Sequence, residues 1–285
     1  MNRGIGWVTA SALLLLALTG CAGHEAGKTD TPGAGNTAAD RLQEKPASSG
    51  TEMKQGEKSD PATNETVENS LAYYEPDLEI KQEAQEGKVV WMSGHVELVI
   101  EKSPKEVHAL SVKTNGKTYS LKPEREPSSV EAMALSVTGK FLAVDLFQNN
   151  VGHEILILNL ENGDQINLNQ LASGKNEGVE TIHAYNWSPD GSILAYAYGD
   201  TSSSSIAAYD FEKETALNLA EDAPYISTAY ILWSTDGEVI DAISEQPSDQ
   251  FKLHRYSVKG GTVEEVADVK REELQRYNKY RPSAP

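Results

Sequence analysis

From residue 71 onward, short apolar runs alternate with clusters of Gly, Pro, Asp and Ser, and four segments repeat one plan. The third is the clearest. An apolar run from Ile182 ends at Trp187, turns through Ser188-Pro189-Asp190-Gly191 and resumes as a strand to Tyr198. In such a turn Pro presets φ, Asp can hydrogen-bond its own backbone, and Gly takes the left-handed position. The fourth segment, Ala229 to Ile240, carries Ser234-Thr235-Asp236-Gly237 after Trp233. The second, Ala132 to Val144, keeps Leu135 and Gly139; the first, Val89 to Ile100, keeps Trp91 and Gly94 and is one residue shorter at its turn. The landmarks Trp91, Leu135, Trp187 and Trp233 stand 44, 52 and 46 residues apart.

A second turn follows each first one at a nearly constant distance. Counted from Gly94, Gly139, Gly191 and Gly237, the later turns contain Gly116, Gly163, Lys213 and Gly260, at intervals of 22, 24, 22 and 23 residues. Asn115-Gly116 and Asn162-Gly163 are hairpin signals. A strand is predicted before each second turn and a shorter one after it. Each repeat therefore predicts four antiparallel strands in about 40 residues, the size of a propeller blade. The fold class predicted is all-β, a β-propeller of about four four-stranded blades over residues 71–269. The runner-up is an open, curved β-meander of the same four sheets. Leu71 to Lys81 is available as an extra edge strand.

An aromatic residue, then Ser-Pro-Asp-Gly, then a Leu-Ala-aromatic strand is the signature of TolB-type, WD-like β-propeller repeats. Trp187 to Tyr196 resembles it residue by residue, and Trp233 to Gly237 resembles it with Thr235 in place of Pro. The other two segments keep only the Gly and the strand pattern. The resemblance extends over roughly residues 84–269 and implies an architecture without naming a ligand. Trp91, Trp187 and Trp233, one per repeat, are read as core residues wedged between adjacent sheets rather than as stacking platforms. Ser188, Pro189, Asp190, Gly191, Asp236 and Gly237 are read as turn-forming, and no catalytic residue is assigned.

Beyond the repeats, Asp268 to Asn278 reads as a short helix, with Asp268 as N-cap and Glu272–Arg276 as an i,i+4 pair. Residues 270–285 form a basic tail, read as docked on the propeller or solvated. Residues 71–269 hold 32 acidic and 14 basic side chains, a net of −18, so this tail sits beside an acidic body.

The first 70 residues follow a different pattern. Arg3 precedes an apolar stretch from Trp7 to Leu18, which is shorter than the roughly 20 residues that span a bilayer and has the proportions of a secretory signal peptide. Leu18-Thr19-Gly20-Cys21 resembles the bacterial lipobox, and Cys21 is the only cysteine in the chain. A diacylglycerol on Cys21 would supply the two acyl chains that stable anchoring needs. The expected organisation is a signal peptide over 1–20, a lipidated linker over 21–70, the propeller and the tail. Among residues 22–70 the only large apolar side chains are Leu42, Met53 and Val67. Such a composition predicts a disordered tether with a root-mean-square span of about 40 Å.

Charge and composition narrow the chemistry. With 43 acidic against 25 basic residues the chain has a net charge of −18, which excludes an electrostatic reader of nucleic acid. A single cysteine excludes an internal disulfide framework and multi-cysteine metal sites. No Gly-x-Ser-x-Gly elbow is present, so the hydrolase half of propeller-bearing prolyl oligopeptidases is missing. Gly33 to Ala38 and Gly116-Lys117-Thr118 imitate nucleotide-binding motifs in the wrong structural context. His24, His95, His108, His153, His183 and His254 are scattered without a metal-ligand spacing and are read as solvent-facing. No cofactor or metal is implied.

The function expected is a non-enzymatic, lipid-anchored binding or sensing module on the extracytoplasmic face of a bacterial membrane, with a protein or glycan partner in the envelope. Its contacts are expected on three polar, flexible connections: Gln148–His153, Gly199–Ser205 and Glu245–Gln250. The alternative is a propeller enzyme whose site lies on the ring axis, where residues distant in sequence meet.

Overall fold

The computed structural model describes residues 71–285 apart from 77–78, 104–105, 150, 174–178, 180, 201 and 222–223. Cys21, the signal peptide and the linker lie outside the described residues. Within them, seventeen strands form four antiparallel sheets, each ordered as in the sequence. The first sheet is β1 (Lys81–Gln85), β2 (Lys88–Ser93), β3 (Val96–Lys102), β4 (Val107–Thr114) and β5 (Lys117–Ser120). The second is β6 (Ser129–Leu135), β7 (Phe141–Gln148), β8 (Gly152–Asn159) and β9 (Gln165–Asn167), followed by the short helix α1 (Leu168–Ser173). The third is β10 (Thr181–Trp187), β11 (Ile193–Gly199), β12 (Ser204–Asp210) and β13 (Thr215–Ala216). The fourth is β14 (Ser227–Trp233), β15 (Val239–Glu245), β16 (Phe251–Ser257) and β17 (Val263–Val269). These are the four predicted propeller blades. The first gains a fifth strand, β1, whose Lys-Gln-Glu-Ala-Gln sequence is exposed throughout.

Alternation along the strands explains the stacking, because successive side chains point to opposite faces of a sheet. On β7, Leu142, Val144 and Leu146 join Val89, Leu98 and Val112 in a core between the first and second blades. The intervening Phe141 and Ala143 join Trp187, Leu194 and Tyr196 in a core between the second and third. Between the third and fourth, small Ala195, Ala197 and Ala208 make room for Trp233, which has no exposed surface. Strands apolar on both faces are what burial on both faces requires.

The tryptophans also make a repeated polar contact. Trp187 Nε1 donates to the Ala134 carbonyl at 3.0 Å, and Trp233 Nε1 donates to the Asn186 carbonyl at 3.1 Å. Ala134 and Asn186 occupy the same place in successive blades, one residue before the landmark. Among the described residues no sheet precedes that of Trp91, whose Nε1 donates instead to Gln82 Oε1 on β1 at 3.1 Å.

The first turns are built as predicted. Ser188 Oγ donates to Asp190 Oδ1 at 2.6 Å and accepts from the Ile193 N–H at 3.0 Å. Ser234 repeats both bonds with Asp236 and Val239 at 2.6 and 3.0 Å. In the second blade Ser136 keeps the scheme, with Thr138 in place of Asp. The turns also nest. A Cβ on Gly191 would lie 2.9 Å from Val137 Cγ1, whereas one on Gly237 would lie 3.7 Å from Pro189 Cδ.

A fourth core covers the outer face of the last blade. Tyr230, Leu232, Ile243 and Leu253 pack with Tyr73, Leu274, Tyr277 and Tyr280 from the two flanking segments, and none of its members comes from the first sheet. Tyr73 bridges to Ser234 and donates its hydroxyl to the buried Asp241, which also receives a bidentate pair from Arg255 at 2.9 and 2.7 Å.

The C-terminal helix departs from expectation in place and type. Asp268 is no N-cap: it lies in β17, paired with Lys252 of β16. The helix is a 3₁₀ helix over Arg271–Tyr280. In 3₁₀ geometry residues i and i+3 eclipse, so Arg276 meets Glu273 at 3.6 Å rather than Glu272. Burial of Tyr277 between Tyr73 and Tyr230 holds the helix in place, at ring distances of 6.5 and 5.8 Å. A salt bridge of 2.8 Å from Lys279 to Glu75 adds to it.

Gly191 and Gly237 have φ of +74° and +71°, so alanine strains the backbone at both by about 1–2 kcal/mol. Only at Gly191 does the new methyl also collide with a neighbouring turn. Gly191→Ala is therefore expected to lower the unfolding free energy more than Gly237→Ala, as chemical denaturation of the two variants would measure.

Candidate functional site

The first strand of each sheet from the second to the fourth carries the same irregularity. Register against the neighbouring strand slips between Val130 and Ala132, between Ile182 and Ala184, and between Thr228 and Tyr230. The residues left unpaired are Glu131, His183 and Ala229, each four positions before its landmark Leu135, Trp187 or Trp233. A bulge of this kind bends its strand and re-aims a side chain. All three line one cavity of about 560 Å³.

The remaining walls come from neighbouring strands and from the C-terminal segment. Asp145 near the end of β7 and His153 near the start of β8 face each other, with His153 Nδ1 2.8 Å from Asp145 Oδ1. Tyr185, Tyr230 and Ile231 contribute ring and aliphatic surface, and Asn278, Arg281, Pro282 and Ser283 close another side. That segment is held by Tyr230 Oη donating to Asn278 Oδ1 at 2.8 Å and by Asn186 Nδ2 donating to the Tyr280 carbonyl at 2.6 Å. The Met133 N–H donates to the Ser283 carbonyl at 3.4 Å.

Two polar atoms of the cavity residues are unused. Tyr185 is 6% exposed, and its hydroxyl has no hydrogen-bond partner among the described residues; His183 Nε2 has none either. Burying a polar group without a partner costs free energy, so such atoms call for an explanation. Burial pushes the Tyr185 phenol well above its ordinary range, with Asp145 adding to the effect and Arg281 opposing it, so the group stays neutral. Burial also pulls the His183 imidazole below its ordinary 6.5, against hydrogen bonds from the ring to the backbone of Ser203 and Asp200.

The Asp145–His153 pair behaves differently. The hydrogen bond to Asp145 raises the His153 pKa above 6.5 despite partial burial. Burial raises the Asp145 carboxyl, while His153 and Arg281 pull the other way. Formal charge in the cavity is nearly balanced: Glu131 and Asp145 against Arg281 and a protonated His153.

The cavity opens at the end where the first strands begin. The connections from the second strand of a blade to the third, between Gln148 and Gly152, Gly199 and Ser204, and Glu245 and Phe251, lie at this end too. Contacts across blades place them there. The His153 N–H donates to Thr181 Oγ1 at 2.9 Å, and the Ser204 N–H donates to the Tyr225 carbonyl at 2.7 Å. These connections are shorter and better tied than their composition predicts. Gln148, Gly152, His153, Gly199, Ser204 and Glu245 all belong to strands. Asp200 Oδ1 accepts the backbone N–H groups of Ser202 and Ser203 at 2.7 Å each, and these bonds hold its carboxyl at about 2.

The sequence-predicted residues fall outside this cavity. Trp91, Trp187 and Trp233 are buried in the inter-blade cores, and Ser188, Pro189, Asp190, Gly191, Asp236 and Gly237 occupy the turns at the opposite ends of their strands. The reading of the histidines as solvent-facing is corrected for three of them. His153 and His183 share the cavity, and His254 is 4% exposed against Tyr225, because the bulges and blade stacking are tertiary effects. Among the described residues no group of three His, Cys, Asp or Glu side chains is placed to hold a metal ion.

No family model matches the chain, and no curated protein does. Among solved structures, a TolB-type protein from Agrobacterium tumefaciens is 14% identical over 70% of this chain and 81% of its own, with a TM-score of 0.41. TolB from Acinetobacter baumannii is 14% identical over 64% of this chain and 49% of its own, with a TM-score of 0.39. The tricorn protease is 16% identical over 67% of this chain and 22% of its own, with a TM-score of 0.42. The blade assignment rests on the sheets themselves.

The two cavity histidines are expected to titrate on opposite sides of 6.5 when followed by NMR, His153 above and His183 below. A raised folded pKa makes the His153 contribution to stability full below 6.5 and lost as pH rises through the folded value. A lowered one makes the His183 contribution full above 6.5 and lost as pH falls through its folded value. Asp145→Asn removes the cause of the first shift. His153 in that variant is expected to move down, leaving a melting temperature that rises with pH across this window.

Proposed function

We propose that this chain is a lipid-anchored protein of the extracytoplasmic face of a bacterial membrane, with a propeller that binds a protein or glycan partner without turning it over. The observation that carries the binding reading is the convergence at one end of the blades. Three tied connections and a cavity of about 560 Å³ lie where three blades begin. Rigid strands presenting connections at one end are the usual arrangement of a recognition surface. The membrane reading is supported by Cys21, the only cysteine, at the lipobox position after a signal-like segment, and by the apolar-poor stretch that follows it. On this reading residues 21–70 are the tether and residues 270–285 belong to the binding end as a wall of the cavity.

A second reading, a propeller enzyme acting on envelope material, draws on the Asp145–His153 pair. Such a pair can orient a general base. A hydrolase of the triad type also needs a nucleophile at the other ring nitrogen, and among the described residues the His153 ring hydrogen-bonds no hydroxyl or thiol. The pair suits ligand orientation better.

Two measurements test the proposal. Cys21→Ala is expected to move the protein from the membrane fraction to the soluble fraction of cells; unchanged membrane retention would refute the anchor. A photo-crosslinking residue at exposed Ser202, beside the cavity, is expected to capture a discrete partner on intact cells. The same residue at exposed Asn162, on the hairpin at the other end, is expected to capture none. Equal capture from both positions would place recognition elsewhere.

A further inference from the structure

One wall of the cavity is built unlike the others. The blades contribute paired strands, whereas residues 281–284 contribute a single segment laid beside the first strand of the second blade. Up to Tyr280 the chain is well fastened. Tyr277 is buried, the Tyr280 ring packs on Tyr73 at 5.5 Å, and the Tyr280 carbonyl accepts from Asn186 Nδ2. The 3₁₀ helix ends at this point, and Arg281 turns extended with φ of −100° and ψ of 152°.

Beyond Tyr280 the hold weakens abruptly. Arg281, Ser283 and Ala284 are exposed. Among the described residues, one hydrogen bond ties residues 282–284 to the blades, from the Met133 N–H to the Ser283 carbonyl. At 3.4 Å it is longer than the roughly 2.7–3.2 Å of ordinary N–H···O bonds. Ordering a backbone costs entropy that its contacts have to exceed. Here one long bond and a half-buried proline ring oppose that cost. Pro282 narrows the gap, because its fixed φ leaves the loose segment fewer conformations to lose. The change from fastened to loose chain between Tyr280 and Arg281 has the form of a hinge.

What the segment covers gives the hinge a consequence. β6 is the edge strand of its sheet, and Ser283 pairs with its free side at Met133 as a further strand would. Arg281 brings a cation to bear on Asp145 and His153. Lifting the segment opens the cavity on this side and uncovers the β6 edge. It also leaves Glu131 and Asp145 with His153 and without the guanidinium.

We propose that residues 281–284 are a strap, hinged after Tyr280, that closes this cavity and has to lift before a partner can enter. The contact is autoinhibitory. The inference rests on the binding reading above and is independent of the lipid anchor.

The test measures movement and consequence separately. In backbone NMR relaxation of the full chain, the Ser283 and Ala284 amides are expected to show motion that those of Tyr277 and Tyr280 lack. A strap as rigid as Tyr277 overturns the proposal. For the consequence, deletion of residues 281–285 and Pro282→Gly are each combined with the crosslinking residue at Ser202. Both variants keep Tyr277 and Tyr280, so the thermal transition is expected to stay within a few degrees. Deletion is expected to raise capture of the same partner about threefold or more, because every molecule is then open to it. Pro282→Gly is expected to fall between, since glycine favours the lifted form. Should the deletion unfold the protein, capture by Pro282→Gly decides alone. Unchanged or lower capture with the fold intact makes the segment a fixed wall and overturns the strap, while the binding reading stands. Capture of nothing by any of the three chains defeats the binding reading and the strap together.

Discussion

The indole N–H of one blade hydrogen-bonded to a first-strand carbonyl of the blade before it is the constraint on which this structure depends. Trp187 reaches Ala134, and Trp233 reaches Asn186, with the same geometry one blade further on. Each bond ties the end of one first strand to the equivalent residue of the next, so apolar stacking acquires a register that oil-like packing alone would lack. The rings supply the buried surface and the N–H supplies the position. The nesting of turns, with Val137 against Gly191 and Pro189 against Gly237, is a second expression of the same spacing.

That register is what lets a local defect become a site. A bulge four residues before each landmark would be a scattered irregularity if the blades could slide. With the landmarks tied, Glu131, His183 and Ala229 are brought to one cavity, although they lie 52 and 46 residues apart. The Asp145–His153 couple and the segment around Arg281 fill in the remaining walls. Burial sets the proton inventory: His183 is kept neutral, Tyr185 is kept protonated, and His153 is held charged to higher pH by the carboxylate beside it. Rigid strands and tied turns at this end, including the Asp200 turn, suit recognition by a preformed surface.

What the sequence discloses is what local chemistry writes. The Ser-Pro-Asp-Gly turns, the landmark tryptophans and the Asn-Gly hairpin are short-range signals, and the four blades were legible from them. The fifth strand was not, because Lys81 to Gln85 is polar on both faces and pairs only through backbone groups. Asp268 misleads as a helix cap because an exposed edge strand tolerates the same residue. The cavity was hidden for a deeper reason. Glu, His and Ala share no chemistry, and their only common mark is a fixed offset of four from Leu135, Trp187 and Trp233. Whether such a residue bulges depends on strand pairing, and where it points depends on the blade next door.

The tie between blades is tested most directly by comparing the unfolding free energies of Trp187→Phe and Trp91→Phe. Both substitutions remove one indole N–H and a similar volume of ring. In the first, the buried carbonyl of Ala134 keeps its ladder partner and loses the indole; in the second, only the side chain of exposed Gln82 loses it. The account predicts that Trp187→Phe costs about 0.5–1.5 kcal/mol more than Trp91→Phe, the net worth of a buried hydrogen bond that solvent does not replace. Equal losses in the two variants would mean that the indole N–H does not hold the blades in register, and the account would fall with it.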